Sequence, residues 1–544
     1  MRSIGKIRAR QLIPNRHNFI TIIRLPPALQ KNNNFSSMTK NDEILFFKEP
    51  RMAQRYQLFI NNEWVDPLSG QWFDSLDPFS GEAWAEVPRA NKADVDRAVE
   101  AASAAMEGPW GKMSATDRGL LLHKLGSLIE KHADTLTLAE SRDNGKLKSE
   151  VGGQVRYMAK YFYYYGGLAD KIQGAVIPMD KPKVFNYTRY EPIGVVATIT
   201  PWNSSLLLTA WKVAPALCAG NTIIAKPSEH TSVSMFELAK LFVEAGFPPG
   251  VFNVITGFGA EVGEPLVTHP KVPRIAFTGG DEGGRKVNVL GAQHFKRVSL
   301  ELGGKSPHII FDDADLTRAA NGVITGIFSA GGQTCMAGSR LLLQEGIHDE
   351  FVERLVAIAS KAKLGDPTLP DVQVGPVATR PQFEKVMEYI GIAKNEGARC
   401  VFGGNARTGE GFGAGQFVEP TIFVDVSNDM RIAQEEVFGP VLSVIKFKDE
   451  EDAIRIANDI RFGLASGVWT TSLHRAMLMS SRIKAGTVWI NNYRSTSFTT
   501  PFGGYKDSGM GREGGIEAVK EYLETKSVWI STDLDMPDPF IRKY

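Results

Sequence analysis

Three side chains with chemical potential sit in unusually plain surroundings. Cys335 lies in "SAGGQTCMAGSR", residues 329–340, among Gly331, Gly332, Ala337 and Gly338. A thiol becomes a nucleophile only as thiolate, and it needs a partner base or a favourable field. Small flanking residues leave room for two reactants to reach the sulfur; the alternative is a small buried cysteine in a turn. In "RVSLELGGKSP" the residues Val298, Leu300 and Leu302 alternate with Ser299 and Glu301. Glu301 is therefore either a solvated charge at a strand end or a general base with a raised pKa. Asn203, in "ITPWNSSL", follows a strand, where its amide could donate to a developing alkoxide.

A second set of residues suits a dinucleotide. "TIIAKPSE" ends a buried strand on Lys226 and Glu229, and open α/β sheets bind ligands beyond such strand ends. An acid there accepts from ribose hydroxyls and repels a 2′-phosphate, which favours NAD over NADP, although Lys226 leaves NADP open. "GFGAEVG", with Gly257, Gly259 and Gly263, misses the GxGxxG spacing by one residue. "RIAFTGGDEGG" places Gly279 and Gly280 between a strand and a helical pattern, so bare amides can approach a pyrophosphate.

The elements needed to position these groups are legible. "YQLFINNEWVDP" predicts a hairpin, and apolar spacing predicts helices over 94–128 and 131–165. Short β-rich runs ("GVVATIT", "TIIAKP", "VFNVITG", "RIAFTGG", "SPHIIF", "RLLLQ", "VLSVIKF") alternate with helical stretches, implying parallel sheets with crossover helices. Two strand candidates outside this pattern, "GAVIPMDKPKVFNYTRYEP" and "YLETKSVWIS", call for edge pairing with each other or with another subunit.

At 544 residues the chain is long enough for two cores, since single cores stop growing near about 250–300 residues. A net charge of +1 offers no field to gather nucleic acid or anionic lipid. No apolar run reaches the about 20 residues that span a bilayer, so no membrane partner is expected. Cys218, Cys335 and Cys400 show neither zinc spacing nor a disulfide framework, which fits a reducing compartment and no metal. Residues 1–41 carry eight Arg or Lys and no acid. That composition reads as a mitochondrial transit peptide or as the product of an over-called start codon, with translation beginning at Met38 or Met52. The expectation is a cytoplasmic protein, or a matrix protein if residues 1–51 are a transit peptide.

"TPWN" (200–203), "KPSE" (226–229), "FTGG" (277–280), "ELGGK" (301–305), "GQTC" (332–335), "EEVFGP" (435–440) and "PFGGYKDSG" (501–509) together resemble the NAD(P)-dependent aldehyde dehydrogenase superfamily over residues 55–532. The resemblance implies an α/β fold with three parts. A Rossmann-like cofactor domain spans 52–173 and 191–302, an α/β catalytic domain spans 303–516, and a small β oligomerisation element with tail spans 174–190 and 517–544, after an extension at 1–51. It implies Cys335 as nucleophile, Glu301 as general base, and Asn203 with the Cys335 amide as oxyanion hole. Trp202, Lys226, Glu229, Gly257, Gly279, Gly280, Glu436 and Phe438 match cofactor-binding positions; the family usually has Ser where this chain has Gly280. Ser204, Leu208, Trp211, Thr334, Arg494 and Phe502 match the substrate pocket, and Ser204 and "RSTS" (494–497) suggest a polar aldehyde with an acidic or amide group. A homodimer or homotetramer is implied. "NNYRSTSFTTPFGGYKDSGMGREGG" is similar to bacterial catabolic members acting on ring-cleavage products of N-heterocycles, such as those of trigonelline breakdown. A CoA-acylating dehydrogenase and a non-catalytic structural homologue are the alternatives; Glu301 speaks against the first.

Overall fold

The computed structural model describes residues 53–533 and 538–541; the basic N-terminal stretch and the expectations attached to it lie outside the described residues. Two large sheets dominate. The first has eight strands in the order Gly509–Met510, Arg297–Glu301, Arg274–Thr278, Val195–Ile199, Thr222–Lys226, Phe252–Val254, Leu58–Ile60 and Glu63–Val65. The run from Arg297–Glu301 to Phe252–Val254 is parallel. Its central strands Val195–Ile199 and Thr222–Lys226 are buried throughout, as expected where helices cover both faces of a parallel sheet.

The expected hairpin forms the other edge. Asn61 and Asn62 both adopt positive φ, 59° and 60°, the left-handed pair that a two-residue turn matched to strand twist requires. The second sheet has seven strands, with Val441–Phe447, Arg340–Gln344 and Pro307–Ile310 at its centre, all parallel to one another.

One strand crosses the expected boundary. Gly509–Met510 lies within the stretch assigned to the catalytic part, yet it pairs antiparallel with the first sheet, Leu300↔Met510 and Glu301↔Gly509. The two long helical predictions are each divided. Helices Lys92–Glu107, Pro109–Lys112 and Ala115–Lys131 are separated at Gly108 and at Ser114, whose hydroxyl accepts from Asp117 N. Ala133–Asn144 ends at Gly145, φ +72°, before Lys148–Leu168 begins. Apolar periodicity passes through such breaks because the buried stripe continues; caps and left-handed glycines mark them.

The two extra strands do pair with each other. Leu523–Ser531 runs antiparallel to Val184–Pro192 from Leu523↔Pro192 to Ser531↔Val184, and Val176–Ile177 adds a third strand. Among the described residues no helix is long and apolar enough to cross a membrane.

Candidate active site

The glycines before Cys335 serve the backbone first. After the helix Leu316–Phe328 the chain turns through Ala330, Gly331 and Gly332 at φ +55°, +59° and +71°. A Cβ on Gly332 would lie 2.1 Å from Gly439 O, so only glycine permits this approach. The Ala330 amide donates to Glu150 Oε1 at 2.9 Å. Gln333 Oε1 accepts from Ala378 N at 2.9 Å. Cys335 is thus presented by a strained, tied-down turn. Burial, followed by the nearby carboxyls of Glu436 and Glu301, pushes its thiol up to about 12.

Glu301 ends the strand Arg297–Glu301 and is buried, not solvated. Neither carboxyl oxygen has a hydrogen-bond partner. Burial first, and then Glu513, raises its pKa well above the usual carboxylate range, while Lys212 and Arg512 oppose the shift. Gly503 leaves the space: a Cβ there would lie 2.9 Å from Glu301 Oε1. Asn203 is buried, and its Nδ2 donates to Gln333 O at 3.0 Å; the amide's second N–H is free for another acceptor. Its own carbonyl accepts from Lys146 Nζ at 3.0 Å.

Three cavities meet around these residues. A small one of about 150 Å³ is lined by Cys335, Glu301 and Asn203 together with Trp202, Gly279, Gly280, Glu436 and Phe438. Trp202 and Phe438 meet edge to face at 5.3 Å, and Gly304 N donates to Glu436 Oε1 at 3.0 Å. The second, about 410 Å³, shares Trp202, Gly279 and Gly280 with the first and extends to Lys226 and Glu229, whose Nζ and Oε2 are 3.9 Å apart. The third, about 370 Å³, shares Cys335, Asn203 and Leu208 with the first and is lined also by Ser204, Trp211, Thr334, Arg494 and Phe502. Cys335 therefore lines a cleft on either side.

A family model described as the aldehyde dehydrogenase family matches residues 64–528. The chain belongs to the aldehyde dehydrogenase family. It is 47% identical to (Z)-2-((N-methylformamido)methylene)-5-hydroxybutyrolactone dehydrogenase of Acinetobacter baylyi, over 90% of this chain and 100% of that one. It is 46% identical to an aldehyde dehydrogenase of Emericella nidulans, over 88% of this chain and 95% of that one. The solved NAD+ complex of an aldehyde dehydrogenase from Bacillus cereus superposes with a TM-score of 0.86 at 42% identity, covering 88% of this chain and 97% of that one.

Within this aldehyde dehydrogenase, Gly257 departs from its sequence assignment. It lines none of the three cavities; its backbone, φ +143°, and a Cβ distance of 2.8 Å to Val262 Cγ2 explain the glycine instead. Gly259 and Gly263 line the 410 Å³ cavity, in a π-helical turn Gly259–Gly263. Of the polar run at 494–497, Arg494 and Thr496 reach the cavity containing Cys335. Ser495 bonds Asn492 and Ser497 bonds Thr499.

Several site residues escaped sequence reasoning. Glu150, Gly153, Gln154 and Tyr157 line the third cavity, and their three- and four-residue spacing on the helix Lys148–Leu168 was an available signal. Lys146 donates to Gln154 Oε1, Asn203 O and Ser204 Oγ at 2.9, 3.0 and 2.9 Å. Gln382 donates to the carbonyls of Val437 and Phe438 at 2.9 and 3.0 Å, fixing the loop that carries Glu436. Buried Lys212 donates to Glu513 and, at 2.6 Å, to Thr278 Oγ1; no local pattern marks that triad.

Proposed function

We propose that the chain catalyses the NAD+-dependent oxidation of a polar aldehyde to its carboxylic acid through acyl transfer on Cys335. The observation that carries this reading is the shared wall: Cys335 lines both the cleft continuous with Lys226 and Glu229 and the separate cavity containing Ser204 and Arg494.

The residues present fit a dinucleotide. No atom lies within 4 Å of a Cβ built on Gly280, which precedes the 13-residue helix Asp281–Gln293, so bare amides face the cavity where a phosphate would sit. Lys226 and Glu229 would hold the adenine ribose, and Glu436 with Phe438 the nicotinamide ribose and ring. When bound, NAD+ supplies the acceptor for the aldehyde hydride.

The chain's own groups do the rest. The Cys335 thiolate adds to the aldehyde carbon, and the carbonyl electron pair moves to oxygen. Asn203 and the Cys335 amide donate to that alkoxide; one such donor is typically worth about 100- to 1000-fold in rate. Once the hydride has left, the acyl group remains on sulfur as a thioester. Glu301 takes a proton from a water that attacks the acyl carbon, the C–S bond breaks, and the thiolate and acid separate. A carboxylate suited to this step speaks for water rather than CoA as the acyl acceptor.

Support for a polar substrate comes from the Ser204, Thr496 and Arg494 side of the cavity. The substrate in the name of the Acinetobacter baylyi relative combines an amide with a 5-hydroxybutyrolactone, the ring-closed form of an aldehyde acid. We infer further that the eight-stranded sheet belongs to the cofactor domain and the seven-stranded sheet to the catalytic domain of a cytoplasmic enzyme. Exposed Phe185, Trp529 and Ile530 on the three-stranded sheet support assembly of a homodimer or homotetramer.

The test is NADH formation across an aldehyde panel. Cys335→Ala is expected to abolish turnover with every aldehyde while NAD+ still binds. Turnover by the alanine protein at the wild-type rate would end the reading.

A further inference from the structure

The Ser329–Ala330 peptide is gripped at both ends. Its carbonyl accepts from Arg494 Nη1 at 3.3 Å, and its N–H donates to Glu150 Oε1 at 2.9 Å. Arg494 Nη1 also donates to Thr325 O at 3.2 Å. The guanidinium and the carboxylate therefore already clasp an amide group, one charge on its oxygen and the other on its nitrogen.

Each clasping residue has a second edge, and both residues line the substrate cavity. Glu150 Oε2 is shielded from solvent and has no hydrogen-bond partner. Buried acceptors are rarely left unmade, so an unmet one on a residue lining a ligand cavity points to a ligand donor. A guanidinium has five N–H donors, and the two contacts above use only the Nη1 end. Trp211 Nε1, also buried beside this cavity, is likewise without a partner. Arg494 holds its place despite a left-handed backbone, φ +61°, a conformation uncommon outside glycine and kept where the surroundings demand it.

Opposite charges face the space together. Arg494 and Glu150 interact electrostatically, and buried Lys146, with its three acceptors, feels both Glu140 and Glu150 as well as Arg494. Neither sign dominates. A substrate carboxylate would meet Arg494 but also the Glu150 carboxylate, and a substrate ammonium would face the reverse conflict. A neutral group presenting an acceptor and a donor side by side satisfies both.

We propose that Glu150 and Arg494 form a dipolar clamp that selects aldehydes bearing a carboxamide, its C=O accepting from Arg494 and its N–H donating to Glu150 Oε2. The proposal rests on the aldehyde-oxidising reading above and narrows its polar substrate to one class.

The experiment compares four four-carbon aldehydes with NAD+: 4-oxobutanamide, 4-oxobutanoate, 4-aminobutanal and butanal. The wild-type enzyme is expected to show its highest kcat/KM on 4-oxobutanamide. Glu150→Gln keeps an oxygen for the Ala330 amide and puts an amide donor in place of the unpartnered acceptor. That variant is expected to shift the ratio of kcat/KM for 4-oxobutanoate over 4-oxobutanamide upward by about 10- to 100-fold, the size of a hydrogen bond to a charged group. Because Glu150 also holds the turn before Cys335, the ratio is the readout, and butanal turnover reports any general loss. A ratio unchanged within about twofold, or a wild-type preference for butanal over the amide, overturns the clamp while leaving aldehyde oxidation intact. Absence of NADH with all four aldehydes overturns both.

Discussion

The hydroxyl of Tyr493 donates to the main-chain carbonyl of Met336 at 3.0 Å. This bond fixes the Met336–Ala337 peptide, the second after Cys335, from the loop that follows the edge strand Thr487–Ile490. The Tyr493 ring stacks on His308 at 4.2 Å, and His308 Nε2 accepts from Trp469 Nε1 at 2.6 Å. Three glycines admit these rings. A Cβ on Gly467 would lie 2.3 Å from Tyr493 Cδ2, one on Gly326 3.0 Å from Tyr493 Cδ1, and one on Gly338 2.9 Å from His308 Nδ1.

On the proposed mechanism this stack positions the nucleophile, and none of its rings lines the cavities that Cys335 lines. Tyr493→Phe keeps the ring and removes one neutral hydrogen bond, worth about 0.5–1.5 kcal/mol. Steady-state kinetics are expected to show kcat reduced by up to about tenfold with KM little changed. Gly338→Ala forces the stack apart, and overpacking of this kind typically costs about 1–3 kcal/mol. Its Tm in thermal unfolding is expected to fall while that of Tyr493→Phe falls less.

The protonation states of Cys335 and Glu301 set a pH dependence of definite sign. The thiol is pushed up to about 12 by burial and by Glu436 and Glu301, so without cofactor the thiolate is a minor species near neutrality. Iodoacetamide alkylation of Cys335 is expected to accelerate by about tenfold per pH unit from pH 7 to 9, following the thiolate fraction. A flat profile would contradict the burial argument. Glu301 is raised by burial and by Glu513, and it accepts a proton only when ionised. The acid limb of kcat is accordingly expected well above pH 4.5, with activity rising as pH rises through it. Glu301→Gln is expected to release about one NADH per site in a burst and then stall, since a thioester without its base turns over about 100- to 10,000-fold more slowly.

On the proposed reading, cofactor choice turns on one carboxylate. Glu229 Oε2 stands 3.9 Å from Lys226 Nζ at the end of the 410 Å³ cavity. Removing it by Glu229→Ala leaves a buried ammonium where a 2′-phosphate would lie. The ratio of kcat/KM for NADP+ over NAD+ is expected to rise by about tenfold, equivalent to about 1.4 kcal/mol. A ratio that stays constant would place the discrimination elsewhere.

The sequence by itself determined the strand and helix alternation and the hairpin at Asn61–Asn62, and it singled out Cys335, Glu301 and Asn203 as candidates, because periodicity, turn chemistry and short motifs are local properties. It also marked the two strands that pair across Val184–Pro192 and Leu523–Ser531, since neither had a neighbour nearby. It left Glu301 either solvated or buried, and only tertiary packing against Gly509 and beside Glu513 made it buried. Gly257, matched to a cofactor position by resemblance, is likewise placed by the fold against Val262. Glu150 and Arg494 were separate polar residues until the fold set them on one peptide. Burial and charge pairing depend on segments far apart in the chain, and a titration state or a ligand clamp exists only once those segments have met.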